Sequence, residues 1–169
     1  MIVNWPKIVA KMVLNALLLA MAFMVIVWAV VLIQSNNQMQ NLLSDLVLIV
    51  SEENCLSEEG GADSTAAMFA MALEESETSW LTFETGTYDD NPHPGRPDAI
   101  LVCQRGNPSV KYNSYATAPQ RGGYIHVELR GTVDLPVIIA PFGQERLKIE
   151  VPFTKKFDTM GLKYFKDKS

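Results

Sequence analysis

The feature that most constrains this chain is a continuous apolar run near its N-terminus. The run from Met12 to Ile33 is 22 residues long, and its only polar member is Asn15. A helix of that length extends about 33 Å, which is enough to cross the hydrocarbon core of a bilayer. The sequence therefore predicts a membrane-spanning helix over 12–33, around which the rest of the chain must be arranged.

Positive charge flanks this run on one side only. Lys7 and Lys11 precede it, whereas the next charged residue after it is Asp45. Basic residues beside a span favour the cytoplasmic side of the membrane. We therefore expect residues 1–11 to be cytoplasmic and everything after Ile33 to lie outside, with membrane lipid as the first partner of the chain.

A cleaved signal peptide is the alternative interpretation of the same run. Signal peptides have an apolar region of about 7–15 residues, followed by a cleavage site of small residues. Here the run is longer, and it ends in Val31-Leu32-Ile33-Gln34 without an Ala-x-Ala motif. These features favour an anchor that is retained.

Apolar residues continue at helical spacing beyond a short polar patch at 34–38. They are Met39, Leu42, Leu43, Leu46, Val47, Ile49 and Val50. This spacing predicts one apolar helix face. No Gly or Pro occurs between Lys7 and Glu59, so the simplest prediction is a single long helix. It comprises the span at 12–33 and an amphipathic continuation at 34–59, and it ends at Gly60-Gly61.

Residues 60–169 are predicted to form an extracytoplasmic α+β domain. A short helix from Thr65 to about Glu77, capped by Asp63 or Ser64, comes first. Alternating patterns then predict an antiparallel sheet of about four strands. The predicted strands are 80–84, 99–104, 124–133 and 146–153, separated by loops at 87–98 and 105–123 and by an apolar connection at 134–144. An amphipathic sheet needs apolar cover, and we expect the amphipathic part of the long helix to provide it.

Charge is distributed unevenly along the chain. Residues 34–98 carry a net charge of −12, and residues 99–169 carry +5. Such a chain can pair with itself, either within one subunit or between neighbours. The acids Glu74, Glu75 and Glu77 end a predicted helix, where the dipole disfavours them, so basic partners are expected. The basic residues form no dense cluster with interleaved aromatics, so no nucleic-acid surface is predicted.

The sequence shows little catalytic chemistry. No Gly-rich phosphate loop, G-x-S-x-G or H-E-x-x-H motif is present, and we predict neither an enzyme nor a cofactor. His93 with Asp89 and Asp90 has the ligand types of a cation site, as has the acidic run Glu52, Glu53, Glu58 and Glu59. Solvated loops and helix ends explain both groups more simply, so no metal site is predicted.

The chain has two cysteines, Cys55 and Cys103. Outside the membrane, an oxidising environment would allow a disulfide between them. Such a bridge would close a loop of about 48 residues and contribute roughly 4 kcal/mol in the chain-entropy model. Two separate buried thiols are the alternative, and the sequence leaves both open.

An apolar N-terminal helix that continues as an amphipathic spine, followed by a small sheet domain, resembles the type IV pilins and pseudopilins. The C-terminal pattern YIHVELRGTVDLPVIIAPFGQERLKIEVPFTKKF is similar to that of TadE-like proteins. The resemblance implies a structural subunit whose apolar helix is held in the membrane before assembly and forms the filament core afterwards. It also implies copies of this chain and other pilin-like subunits as partners. The apolar run lacks the acidic residue that strict pilins carry near the mature N-terminus.

The residues proposed to anchor or assemble the chain all lie on the predicted long helix. They are Lys7, Lys11, Asn15, Phe23, Trp28, Leu42, Leu46 and Ile49. Asn15 could hydrogen-bond across helices or simply face the headgroups. A second hypothesis is a bitopic protein whose external domain binds a ligand or partner through the loops at 87–98 and 105–123. An assembly subunit needs an uninterrupted helix, whereas a binding module tolerates a flexible linker at 34–38.

Overall fold

The computed structural model describes residues 5–83, 100–137 and 148–166. It has the predicted α+β architecture, a long N-terminal helix beside a small antiparallel sheet. The elements are α1 (Trp5–Glu53), a 3-10 turn (Gly61–Asp63), α2 (Thr65–Ser76), β1 (Leu81–Phe83), β2 (Ile100–Gln104), β3 (Asn107–Lys111), β4 (Tyr124–Pro136) and β5 (Lys148–Met160).

The long helix α1 is continuous over 49 residues. It passes through the polar patch at 34–38 without a break, because that patch is packed against the domain. Ser35 is buried, and the side-chain amide of Gln38 donates to the carbonyl of Ser76 at the end of α2. The prediction of a single helix is confirmed, and the patch is not a linker.

The end of α1 differs from the prediction, since the helix stops at Glu53 and the amphipathic continuation does not extend to 59. Asn54 adopts the left-handed conformation, with φ of 60°, which Asn tolerates better than most residues. Its side-chain amide donates to the carbonyls of Pro119 and Lys163 at 2.9 and 2.6 Å. Its Oδ1 accepts from the backbone N–H of Lys163 at 3.0 Å. These three hydrogen bonds hold Asn54 in a non-helical conformation, so α1 ends at Glu53.

The second helix, α2, begins where the sequence predicts, with the Ser64 side chain accepting from the N–H of Ala67 as an N-cap. The sequence predicts partners for the terminal acids of α2, and among the described residues the partner of Glu77 is a backbone N–H and not a basic side chain. The Glu77 carboxylate instead accepts from the backbone N–H of Phe83 at 3.0 Å. Glu74 and Glu75 are exposed to solvent, which removes the need for a charged partner.

Strand β4 is the centre of the sheet. Along one side it pairs with β5 over its whole length, from Tyr124 opposite Met160 to Pro136 opposite Lys148. Along the other side it pairs first with β2 and then with β1, and β3 extends the sheet beyond β2. Within the described residues the sheet therefore has five strands, compared with the about four that the sequence predicts.

Two features of the sheet escape the sequence pattern. Strand β3 lies inside the segment 105–123, which was predicted as a connection. Strand β5 continues to Met160, although the sequence predicts that it ends at Phe153. At the inward-facing position 155 stands Lys155, whose ammonium lies 5.3 Å from the Phe153 ring centroid. This lysine interrupts the apolar alternation on which the prediction depends.

The core lies between α1 and the inner face of the sheet. The inward-facing residues of β4 include Ile125, Val127 and Leu129, each with no exposed surface. They belong to the same buried cluster as Met39 and Leu46 of α1. The outward-facing positions of β4 carry His126, Glu128, Arg130 and Asp134. The amphipathic second half of α1 therefore covers the sheet, as predicted.

Strand β4 runs alongside α1 from the C-terminal end of the helix towards its middle. At one end, the Trp28 indole N–H donates to the carbonyl of Pro136 at 2.7 Å. At the other end, the N–H of Leu162, two residues after β5, donates to the carbonyl of Ser51 at 2.8 Å. A 13-residue strand spans about 40 Å, and the helix from Trp28 to Ser51 spans about 35 Å. The sheet thus begins at Trp28 and reaches the end of α1.

Of the two possibilities that the sequence leaves open, the structure has separate buried cysteines at 55 and 103 and no disulfide between them. Cys55 belongs to the core between helix and sheet. In β2, Val102 points into that core, so the next residue, Cys103, points to the opposite face. Because the sheet lies between the two thiols, they cannot reach bonding distance without rearrangement of the backbone.

Candidate functional site

The first half of α1 is an exposed apolar rod. From Trp5 to Ile26 every side chain except Met24 is exposed, and Leu19 reaches 75%. The helix is long and apolar enough to cross a membrane, and a signal sequence near the N-terminus fits the same description. No residue in the described part of the chain covers this surface. Exposed apolar surfaces of this size mark sites of contact with protein or membrane.

Four of the proposed anchor and assembly residues lie on this rod. Lys7, Lys11 and Asn15 are four residues apart, so they share one side of the helix at its N-terminal end. All three are exposed. Phe23, with 61% of its surface exposed, is the bulkiest side chain between Trp5 and Trp28. These residues are available to lipid or to a neighbouring helix.

The other four proposed residues pack within their own chain. Leu42 and Leu46 are buried, Leu46 completely, while Trp28 and Ile49 are partly buried against the same core. They attach α1 to the sheet. The eight residues therefore divide into an outward-facing group on the rod and an inward-facing group in the core.

A second cluster of chemically distinctive residues lies on the outer face of the sheet. Glu128 of β4 has 5% of its surface exposed, and it accepts from Arg130 at 2.6 Å and from Lys156 of β5 at 3.1 Å. His126 lies between two carboxylates. Its Nδ1 is 2.8 Å from Asp158, and its Nε2 is 3.6 Å from Glu128. The cluster links β4 to β5 by charge.

Ionisation in this cluster follows from its contacts. Burial by itself raises the pKa of Glu128, but the hydrogen bonds and charges of Arg130 and Lys156 outweigh it, and the net pKa lies below the ordinary value of 4.5. Burial, and then the charges of Glu128 and Asp158, raise the pKa of the Cys103 thiol. Glu128 is therefore a carboxylate at neutral pH, and Cys103 is a protonated, weakly nucleophilic thiol.

The same face has a shallow cavity of about 280 Å³ lined by residues of the cluster. Leu101, Cys103, Glu128 and Lys156 form part of its wall. Its charged groups are already paired with one another, and its thiol is protonated. Within 5–83, 100–137 and 148–166, no group of three or more His, Cys, Asp or Glu side chains is placed to hold a metal ion.

A third cluster holds the C-terminal end of α1. The Lys163 ammonium donates to the Glu53 carboxylate. This hydrogen bond lowers the pKa of Glu53, against the opposing effect of burial, and it raises the pKa of Lys163. The pair joins an acid from the acidic middle of the chain to a base from its basic end. Here the acidic and the basic regions of the chain pair with each other within one subunit.

The structure describes only one of the two loops proposed for ligand binding. The loop at 87–98 lies outside the described residues, and with it His93, Asp89 and Asp90. The segment 105–123 contains β3. The residues after β3, at 112–123, are here called the strap, and they support the C-terminal end of α1. In the strap, the carbonyl of Tyr112 accepts from the N–H of Leu56 at 3.2 Å, and the carbonyl of Asn113 accepts from the N–H of Glu58 at 3.1 Å. The strap is part of the fold and is not a free recognition loop.

The outer edge of β5 is unsuited to pairing with another strand. The N–H of Asp134 points towards β1, because it donates to the carbonyl of Trp80. Even-numbered residues of β4 therefore direct their backbone groups away from β5, and in β5 the even positions face the free edge. Pro152, at one of these positions, has no N–H to offer, and Glu150, Lys156 and Asp158 add charge to the same edge. Proline and charge protect edge strands from strand addition, which leaves α1 as the stronger candidate for self-association.

Sequence reasoning did not find three contacts that position these surfaces. Trp28 was identified as an anchor residue but not as a hydrogen-bond donor to the sheet. Asn54 was not singled out, although an Asn close to the end of a predicted helix is a signal for a left-handed cap. The cluster around Glu128 could not be predicted without the register of β4 and β5.

No family model, curated protein or solved structure matches the chain.

Proposed function

We propose that this chain is a membrane-anchored structural subunit that assembles, through the exposed half of α1, into a surface filament or a pilus-like envelope machine. The observation that carries the proposal is the division of α1. One uninterrupted helix is an exposed apolar rod from Trp5 to Ile26 and part of a folded core from Val27 to Glu53. A chain that needed only an anchor could have a flexible junction at 34–38.

The energetics of the rod support assembly. Removing a Leu, Val or Phe side chain from water contributes about 1.5–3 kcal/mol, and the rod exposes Leu14, Leu17, Leu18, Leu19, Phe23 and several more. In the bilayer, lipid covers these side chains. In a filament, the rods of neighbouring copies would cover them by close packing, with Asn15 available for hydrogen bonds between helices.

Continuity of the helix gives the rod a fixed direction relative to the sheet. Trp28, Val31 and Ser35 attach the first turns beyond the rod to the domain. A rigid rod would place every domain at the same distance and angle from a helical core, which a regular filament requires. Charge contributes less than the rod to contacts between subunits, because Arg130, Lys156 and Lys163 already have partners in their own chain.

Electron microscopy of material sheared from cells that produce the protein tests the proposal. The expected result is filaments that contain the chain. A matched pair of variants separates the two halves of α1, since Leu19 in the rod and Leu48 beyond it are 75% and 58% exposed. Leu19→Asp should abolish filaments, because a charge cannot be buried among apolar helices, and Leu48→Asp should retain them. A wild-type chain found only as a membrane-bound monomer would overturn the proposal.

A bitopic protein with a binding domain is the second candidate. The cavity beside Glu128 on the outer face of the sheet favours it. A folded, membrane-bound monomer that never forms filaments would move the question of function to that cavity and its residues Glu128, Arg130 and Lys156.

A further inference from the structure

The apolar surface of α1 does not stop where the sheet begins. Trp28 already donates to the sheet, yet Val30 and Ile33 are still 48% and 60% exposed. The first exposed polar residue after them is Gln34. Over about 7 Å of helix, α1 therefore has the sheet on one side and, on the other, apolar surface that no described residue covers.

The end of the sheet at this level is here called the basal edge, and its described residues are Trp28, Trp80, Pro136, Lys148 and Ile149. The Trp80 carbonyl accepts from the N–H of Asp134 at 2.7 Å, two residues before Pro136. Lys148 stands opposite Pro136 in the register, and its ammonium lies 2.5 Å from the Asp134 carboxylate. Trp80 and Ile149 are 38% and 44% exposed.

These residue types suit the boundary between lipid and water. Tryptophan is enriched at the headgroup level, and lysine extends its ammonium towards water from the same depth. Trp28 and Trp80 are far apart in sequence, and each is hydrogen-bonded to the last residues of β4 at this edge. The remaining tryptophan, Trp5, lies at the other end of the rod, about 35 Å from Trp28 along the helix. That distance is close to the thickness of a bilayer core, about 30 Å.

The position of the basal edge limits how deep the helix can lie. If hydrocarbon covered Met12 to Ile33, the edge would lie about 7 Å inside it, together with strand ends and the Lys148–Asp134 pair. Backbone and charged groups are costly there. The interfacial layer on each side of a bilayer is about 5–7 Å thick, which is enough to hold the basal edge.

We propose that the bilayer core covers Ile8–Val27 and that the basal edge lies in the outer headgroup layer, in contact with lipid. Twenty residues of helix match the core thickness of about 30 Å. Val30 and Ile33 then lie in the interfacial layer, and Lys11 extends towards the cytoplasmic surface. The inference rests on the membrane-anchored form in the proposed function, and it names lipid as a partner of the folded domain.

A pair of fluorescent probes on β5 tests this. Ile149→Cys and Phe157→Cys place thiols on the same face of one strand, about 26 Å apart, where the native side chains are 44% and 48% exposed. Each variant of the full chain is labelled with an NBD dye and reconstituted into phosphatidylcholine vesicles with and without brominated acyl chains. Wild-type protein controls for labelling of Cys55 and Cys103, which are almost fully buried.

The expected result is that brominated lipid quenches the probe at 149 and leaves the probe at 157 unchanged. If brominated lipid quenched neither probe while the protein remained in the vesicles, the inference would be overturned and the anchor would not be affected. Failure of the protein to enter vesicles at all would instead count against the anchor. Absence of filaments has no effect on the probe result, so the two proposals fail separately.

Native tryptophan provides a second measurement that does not depend on labelling. In Trp5→Phe/Trp28→Phe protein, only Trp80 fluoresces, and lipids brominated near the headgroup should quench it more than lipids brominated deep in the chain. Quenching of Trp80 by aqueous iodide alone would contradict the proposed depth.

Discussion

The two halves of α1 share one backbone conformation and have opposite surroundings. Residues 12–26 are apolar on all sides except at Asn15, and almost all of them are exposed, whereas residues 27–53 have one apolar stripe that is buried against the sheet. A helix that is apolar all round needs an apolar medium or other helices, and an amphipathic helix needs one partner surface. Among the described residues, the second half of α1 has its partner surface in the sheet, and the first half has none.

The largest expected effect is a difference in domain stability between substitutions in the two halves of α1. Leu46→Ala should destabilise the domain by about 2–5 kcal/mol, because Leu46 has no exposed surface and its removal leaves a cavity. The matched change Leu18→Ala, at a side chain 54% exposed, should leave domain stability unchanged. Urea unfolding of the full chain in detergent, followed by circular dichroism, measures both. Equal losses would remove the distinction between the halves.

The attachment at the C-terminal end of α1 should be nearly as sensitive. Asn54→Ala removes three hydrogen bonds to backbone groups of Pro119 and Lys163 and places Ala in a left-handed conformation. We expect a loss of about 2–4 kcal/mol in the free energy of unfolding. Asn37→Ala, at an exposed position of the same helix, is the control. A variant at 54 as stable as this control would show that the amide does not hold the helix end.

Acid should destabilise the domain and leave the rod intact. The folded-state pKa values of Glu128 and Glu53 lie below the ordinary value of 4.5. Each carboxylate therefore contributes stability above that value, and the contribution is lost as pH falls through the lower folded-state pKa. Glu128→Gln should lower stability by about 1–3 kcal/mol at neutral pH and flatten the acid dependence.

Glu150→Gln, on an exposed side chain of β5, provides the comparison for this pH experiment. Melting curves of both variants between pH 3 and 7 give the slopes. An unchanged slope in Glu128→Gln would mean that its ion pairs do not contribute to folding.

The smallest expected effect is that of a reducing agent. Because Cys55 and Cys103 lie on opposite faces of the sheet, dithiothreitol should not change the melting temperature of protein purified in air. A fall in melting temperature that is absent in Cys103→Ser would indicate a disulfide and contradict the register of β2.

Sequence pattern was sufficient for the parts of the fold that depend on local periodicity. The uninterrupted α1, the N-cap of α2 and the alternation in β4 all follow from residue spacing and from the absence of Gly and Pro. The end of α1 did not follow, because it depends on Asn54 meeting Pro119 and Lys163, which are distant in sequence. The extension of β5 was also missed, because Lys155 at an inward position resembles the start of a polar tail.

The candidate sites divide in the same way. Exposure of the rod could be predicted from its uniform apolar composition. The packing of Trp28 against Pro136, the charge cluster around Glu128 and the separation of the two cysteines could not, since each depends on strand register. A one-residue change of register exchanges the two faces of a strand, so no local pattern determines these contacts.

The central claim is that the first half of α1 is covered by lipid or by other copies and that the second half is not. Labelling of Leu19→Cys and Leu48→Cys with a membrane-impermeant maleimide, in intact membranes and again after denaturation, tests it most directly. Both native side chains are exposed in the isolated chain, at 75% and 58%. We predict that position 19 reacts only after denaturation and that position 48 reacts in both conditions. Reaction at position 19 in intact membranes would contradict the account.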